Sequence, residues 1–151
     1  MTRASALRRM SPAAAARQVA GSSPRGYHDT WTLAFLEALE QEVRTAPLER
    51  LMASWDLSAA AAGRIFGVSR QAVAKWRGSG VPDDRAVALA DLAAATDVLE
   101  RYVRRDRIPA VVRRRADLLG GRSLLELAEA GEHEAVRRGA ARMVDIRRAQ
   151  P

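Results

Sequence analysis

The 151-residue chain contains no cysteine and no asparagine, and its one lysine is Lys75. Without cysteine there is no disulfide and no thiolate metal site. No apolar run approaches the roughly 20 residues that a membrane-spanning helix needs. The two histidines, His28 and His133, form no cluster with metal-ligand spacing. No glycine-rich loop follows a strand pattern, and no nucleophile sits beside a plausible base. The chain is therefore expected to be no enzyme, with no catalytic residue, no metal and no cofactor. Asp83-Asp84 reads as a helix start rather than a carboxylate pair, and His133, in Glu132-His133-Glu134, as a surface residue. Aromatics are only 5% of the sequence. Trp55, Phe66 and Trp76 fall within or beside residues 58–80, so the best-packed core is expected there. The lone lysine and missing asparagine read as the bias of a GC-rich coding sequence, not as selection for arginine chemistry.

What the chain does have is arginine. The formal charge is +7 and the pI about 11.2, which points to a polyanionic partner or an acidic protein surface. Its placement matters more than its total. Arg3, Arg8, Arg9, Arg17 and Arg25 stand in the first 26 residues with no acid among them, while the whole chain holds 25 basic and 18 acidic residues. The remainder is thus nearly balanced, and any nucleic-acid binding must come from local patches. Residues 1–26 are Ala, Ser, Pro, Gly and Arg without periodicity, so a flexible basic tail is expected there. Their apolar stretch is short and broken by Arg17 and Gln18, which does not fit a secretory signal. A cytoplasmic bacterial protein is expected.

Order should begin near Tyr27. Asp29 or Thr30 caps a helix to about Thr45, with Trp31, Phe35, Leu36, Leu39 and Val43 facing inward. Pro47 then starts a second helix, since proline is tolerated in a first turn, with Leu48, Leu51, Met52 and Trp55 at i, i+3, i+4 and i+7. The run from Ser58 to Gly80 reads as two short helices. Ala61, Ala62, Ile65 and Phe66 line the first, Gly67 breaks it, and Ser69 caps the next, whose inner face is Ala72, Val73 and Trp76. After Val81-Pro82, a helix with acids in its first turn keeps Leu89, Leu92, Ala93, Thr96, Leu99 and Val103 on one face. Ile108-Pro109 marks a boundary. Three shorter helices follow: Pro109 to Leu119, a second from the capping-box spacing Ser123-Leu124-Leu125-Glu126 to Gly131, and a third from Glu132 to about Ala149. So small a unit must pack on the first domain, on itself in a dimer, or on another protein. The expected division is a tail at 1–26, a helical domain at 27–103 and a second at 104–151.

The Ser58–Gly80 stretch resembles the helix-turn-helix of bacterial repressors. Gly63 is small where the two helices meet, Gly67 sits in the turn, Val68 and Val73 point inward, and Trp-Arg-Gly-x-Gly-Val-Pro follows. The resemblance implies DNA binding through Ser69, Arg70, Gln71, Lys75 and Arg77. Arg70 suits guanine and Gln71 adenine in the major groove, whereas Lys75 and Arg77 suit phosphates. An ordinary helical hairpin with a polar outer face is the bland alternative.

A second resemblance lies in Leu118-Leu119-Gly120-Gly121-Arg122-Ser123-Leu124-Leu125-Glu126-Leu127, followed by Glu134-Ala135-Val136. It is similar to the toxin-binding domain of the Xre/MbcA/ParS antitoxins, which join a helix-turn-helix to such a domain in this order. Ser123 stands where that family usually has proline, and the tail lacks the usual Tyr-Gly ending. The resemblance implies an all-α fold, an Xre/Cro-like helix-turn-helix domain followed by a small helical toxin-binding domain. It implies an antitoxin that covers the active site of a RES-type, NAD-consuming toxin and represses its own operon by binding operator DNA, as a homodimer within the complex. The toxin-binding residues implied are Leu118, Gly120, Gly121, Arg122, Leu125 and Arg142, although Leu118, Leu124, Leu125 and Leu127 also fit a local core. Some of Arg113, Arg114, Arg115, Arg137, Arg138, Arg142, Arg147 and Arg148 would pair with acidic groups around the toxin pocket, or they form a solvated face. A stand-alone transcriptional regulator whose last helices dimerise, or an adaptor docking an enzyme onto DNA, would share the same motifs.

Overall fold

Helix formers dominate the chain and turn chemistry punctuates it, and the computed structural model, which describes residues 30–149, is all-α. Seven α-helices are seen among the described residues: α1 (Thr30–Trp55), α2 (Ala59–Phe66), α3 (Arg70–Ser79), α4 (Ala86–Tyr102), α5 (Ile108–Arg113), α6 (Leu124–Glu129) and α7 (His133–Ala149). Three single 3₁₀ turns lie at Asp83–Arg85, Arg105–Arg107 and Asp117–Leu119.

The first departure from the sequence expectation is α1, which runs unbroken through Pro47 instead of restarting there. An interior proline costs a helix about 3 kcal/mol. Leu48, Leu51 and Trp55, just beyond it, have no exposed surface, and full burial of such side chains stabilises by roughly 1.5–3 kcal/mol each. The carbonyl that Pro47 cannot bond belongs to Val43, a residue 61% exposed, where water can take it. The upstream stripe is also corrected. Phe35 is buried, but Leu36 and Val43 are exposed, because periodicity selects a face without guaranteeing that another element covers it. The side chain of Trp31, the Asp29 cap and the basic tail lie outside the described residues and side chains.

Between α2 and α3 the chain behaves as read. Ser58 Oγ accepts the Ala61 amide at 3.1 Å and Ser69 Oγ that of Ala72 at 3.2 Å, capping the two helices. Gly67, at φ 66°, closes α2 with paired bonds, its own amide to the Arg64 carbonyl and that of Val68 to Gly63. The turn brings α3 so near that a Cβ on Gly63 would stand 2.6 Å from the Val68 carbonyl oxygen. Val73 and Trp76 are buried on the inner face of α3, with Trp76 edge-on to Phe66 at 5.7 Å.

Beyond α4 the expected helix from Pro109 to Leu119 is shorter, ending at Arg113. Gly120 and Gly121 are both left-handed, at φ 68° and 75°, and fold the chain back so that Ala116 pairs with Arg122 in an isolated bridge. The backbone is extended at Arg114 and again at Ala116, where the bridge forms, so the helix cannot run on to Leu119. The capping box at Ser123 forms as its spacing suggests, with the Ser123 amide 2.8 Å from Glu126 Oε2 and the Glu126 amide 3.1 Å from Ser123 Oγ.

Of the three ways this C-terminal unit could bury its apolar face, it uses the first. α7 lies along α4, and one hydrophobic cluster runs from Leu48 and Trp55 through Leu92 and Leu99 to Ile108, Leu124, Val136 and Ala140. On another side of α7, Gly139 faces the 3₁₀ turn and α6, where a Cβ would meet Leu119 Cδ2 at 2.6 Å and Leu124 Cδ2 at 3.2 Å. Arg113 turns inward from the basic face to donate to the carbonyls of Trp55 and Asp56 at 2.8 and 2.9 Å, satisfying the open C-terminus of α1.

Candidate functional site

Two surfaces gather the residues singled out by sequence. The first is the outer side of α3. Ser69, Arg70, Gln71 and Lys75 are exposed, with Ser69 engaged as the cap, and Val73 and Trp76 anchor the helix from behind. Arg70 and Gln71 occupy the first turn, with no neighbouring segment of the described residues over them. Arg77 differs: its Nε and Nη2 donate to Glu49 of α1 at 2.5 and 3.0 Å, and this bond raises the guanidinium pKa further.

The second surface is a groove of about 400 Å³ formed by the 3₁₀ turn, α6 and α7 and lined by Leu118, Leu119, Arg122, Leu127, Ala135, Arg138, Gly139 and Arg142. It brings together Leu118, Arg122 and Arg142 of the expected toxin-binding set. Gly120 and Gly121 form the turn beside it. Leu125 is not in its lining and packs half-buried against the core. The floor is apolar and the rim cationic. Arg122 holds Glu132 at two points, 2.6 and 3.0 Å, which raises the arginine and keeps the carboxyl below its ordinary value. Arg142 has no acidic partner among the described residues.

Most other arginines of the C-terminal part are engaged. Arg115 binds Glu126, with Nε 3.0 Å from Oε1, and holds that carboxyl low. Arg137 reaches Asp91 on α4 at 2.8 Å, and Arg138 lies 3.5 Å from Glu134.

The linkage between the two surfaces was invisible in sequence. His133 is corrected from a surface residue to a half-buried joint. Its Nε2 lies 3.0 Å from the Ile65 carbonyl at the end of α2, and its ring stacks on Phe66 at 6.2 Å. A carbonyl only accepts, so this nitrogen carries the proton. Arg64 of α2 adds an ion pair to Glu129 of α6 at 2.9 Å. Nothing in the spacing around His133 or Arg64 marks partners more than sixty residues away. Among the described residues no group of three or more His, Cys, Asp or Glu is placed to hold a metal ion, and no helix is long and apolar enough to cross a membrane.

No protein-family model matches the sequence, and neither does any curated protein. Among solved structures, the chain is similar to one in the crystal structure of the M. tuberculosis MbcT–MbcA toxin–antitoxin complex, with a TM-score of 0.55 and 25% identity. The match covers 71% of this chain and 95% of that one. The class so defined is an all-α protein of antitoxin fold. Within that class, the likeness supports an MbcA-type antitoxin, as the Leu118–Leu127 motif does.

Proposed function

We propose that this chain is the antitoxin of a toxin–antitoxin pair, acting by binding and not by catalysis. The observation that carries the reading is the likeness to the MbcT–MbcA complex over nearly the whole of the matched chain. The partner is a RES-type, NAD-consuming toxin, whose active site the C-terminal surface covers through the groove at Leu118, Arg122 and Arg142. A guanidinium rim around an apolar floor complements a partner surface with carboxylates around an apolar contact. Gly120 and Gly121 act by shaping that rim, and Leu125 by holding α6 on the core.

In the same reading α3 binds operator DNA in the cytoplasm, as a homodimer within the complex. Exposure of Arg70 and Gln71 at the start of a helix anchored by Val73 and Trp76 supports it. Arg70→Ala and Gln71→Ala should lower discrimination between operator and scrambled duplex by ~1–3 kcal/mol each.

The test is co-expression with a RES-type toxin. The pair should co-purify at fixed stoichiometry with the toxin's NAD consumption suppressed, and Arg142→Glu should weaken capture. A chain that never retains the toxin would overturn the antitoxin reading.

A further inference from the structure

Arg70 and Arg77 lie seven residues apart on α3, two helical turns, and therefore on the same edge of the helix. They carry equal charge but are unequally available. Arg70 has no acidic partner among the described residues. The Arg77 fork is filled by both oxygens of Glu49, which projects from α1 across the last turn of α3, at 2.5 and 3.0 Å. The pair is about half exposed, at 50% and 42%, so it faces the solvent in which a DNA backbone would arrive. The neighbouring cation Arg50 is taken by Asp97 and Glu100, so Glu49 has Arg77 as its own partner.

We propose that Glu49 is a built-in competitor for DNA phosphate: it occupies the Arg77 guanidinium in the free protein and so limits the sequence-independent part of DNA binding. This inference rests on the DNA-binding half of the function proposed above. A carboxylate offers a guanidinium the same two-point geometry as a phosphate. An exposed ion pair is weak enough for a phosphate to displace. Once displaced, however, the carboxylate remains beside the phosphate and repels it. Arg77 then contributes less than its position suggests, and discrimination is left to the uncommitted first turn at Arg70 and Gln71. Suppressing non-specific affinity improves the ratio of specific to non-specific binding.

The experiment is a fluorescence-anisotropy titration of the full chain on a labelled duplex of scrambled sequence across a salt series. Thermal melts confirm that each variant is folded. Glu49→Gln should bind several-fold more tightly at low salt, and the slope of log K against log salt should steepen by about 0.9, one additional phosphate contact. Arg77→Ala should weaken binding, because it leaves the Glu49 carboxylate unpaired at that edge, and should abolish the gain when combined with Glu49→Gln. An unchanged slope in Glu49→Gln would overturn the competitor while leaving DNA binding intact. An equal gain in the double variant would reduce Glu49 to a net-charge effect and overturn it as well. Failure of every variant, wild type included, to bind duplex would overturn the DNA-binding reading and this inference together.

Discussion

The imidazole of His133, at the start of α7, stacks on the ring of Phe66, at the end of α2, with centroids 6.2 Å apart and planes 27° from parallel. Phe66 in turn meets Trp76 edge-on, so three rings connect α7 to the helix that displays Arg70 and Gln71. The same imidazole bonds the Ile65 carbonyl, one of those a helix C-terminus leaves open. Removing it should loosen both surfaces. His133→Ala is expected to destabilise by roughly 1–3 kcal/mol, from a ring contact of ~0.5–1.5 and a hydrogen bond of similar net value. Urea unfolding measures it; His133→Phe should recover only the ring contribution.

Gly63 faces a harder constraint, because backbone and not a flexible side chain fills its missing Cβ position. The Val68 carbonyl oxygen would be 2.6 Å away and the Ser69 carbonyl carbon 3.3 Å. Gly63→Ala gains helix propensity but must push the turn outward, and overpacking of this kind costs ~1–3 kcal/mol. A lowered melting temperature with reduced operator binding is expected. A more stable Gly63→Ala would show that the close approach is not there.

Glu100 should contribute to acid sensitivity. Its carboxyl accepts from Arg50 Nε at 2.9 Å and from Ser54, which is buried, and Arg50 also pairs with Asp97. The Arg50 hydrogen bond is the largest cause holding it below its ordinary value of 4.5. A depressed folded pKa stabilises above the unfolded value and loses that stabilisation as pH falls through the folded one. The contribution of this carboxyl should therefore be present above about pH 4.5 and be lost as pH falls below it. Glu100→Gln should be less stable at neutral pH with a shallower acid decline, measured by thermal melts across the pH series.

A fragment ending at Val103 tests how independent the first helices are. In the whole chain α4 packs more extensively on α7 than on any other element, and Leu92, Ala95 and Leu99 are buried in the shared cluster. Truncation would expose that face, lose the Arg113 bonds to the end of α1 and remove His133 from α2. The fragment should lack a cooperative melt and bind a hydrophobic dye, whereas the full chain should melt in one transition.

Local chemistry was legible in the sequence because local rules set it. Serine caps at Ser58, Ser69 and Ser123, the glycine stop at Gly67 and the inner face of α3 each depend on residues a few positions apart. Their side chains reach only their own turn. The family resemblance was legible for a related reason: the double glycine at Gly120-Gly121 is the sort of backbone requirement that leaves a readable motif. What needed the tertiary structure was everything decided by burial or by distant partners. Pro47 remains inside a helix because Leu48, Leu51 and Trp55 are covered on one side and Val43 is wet on the other. Arg113 is a cap, Arg77 a partner of Glu49 and His133 a joint, although each looked like surface when read along the chain. An arginine's charge is written in its codon; whether that charge meets a carboxylate, a carbonyl or water depends on which helix the fold lays across it.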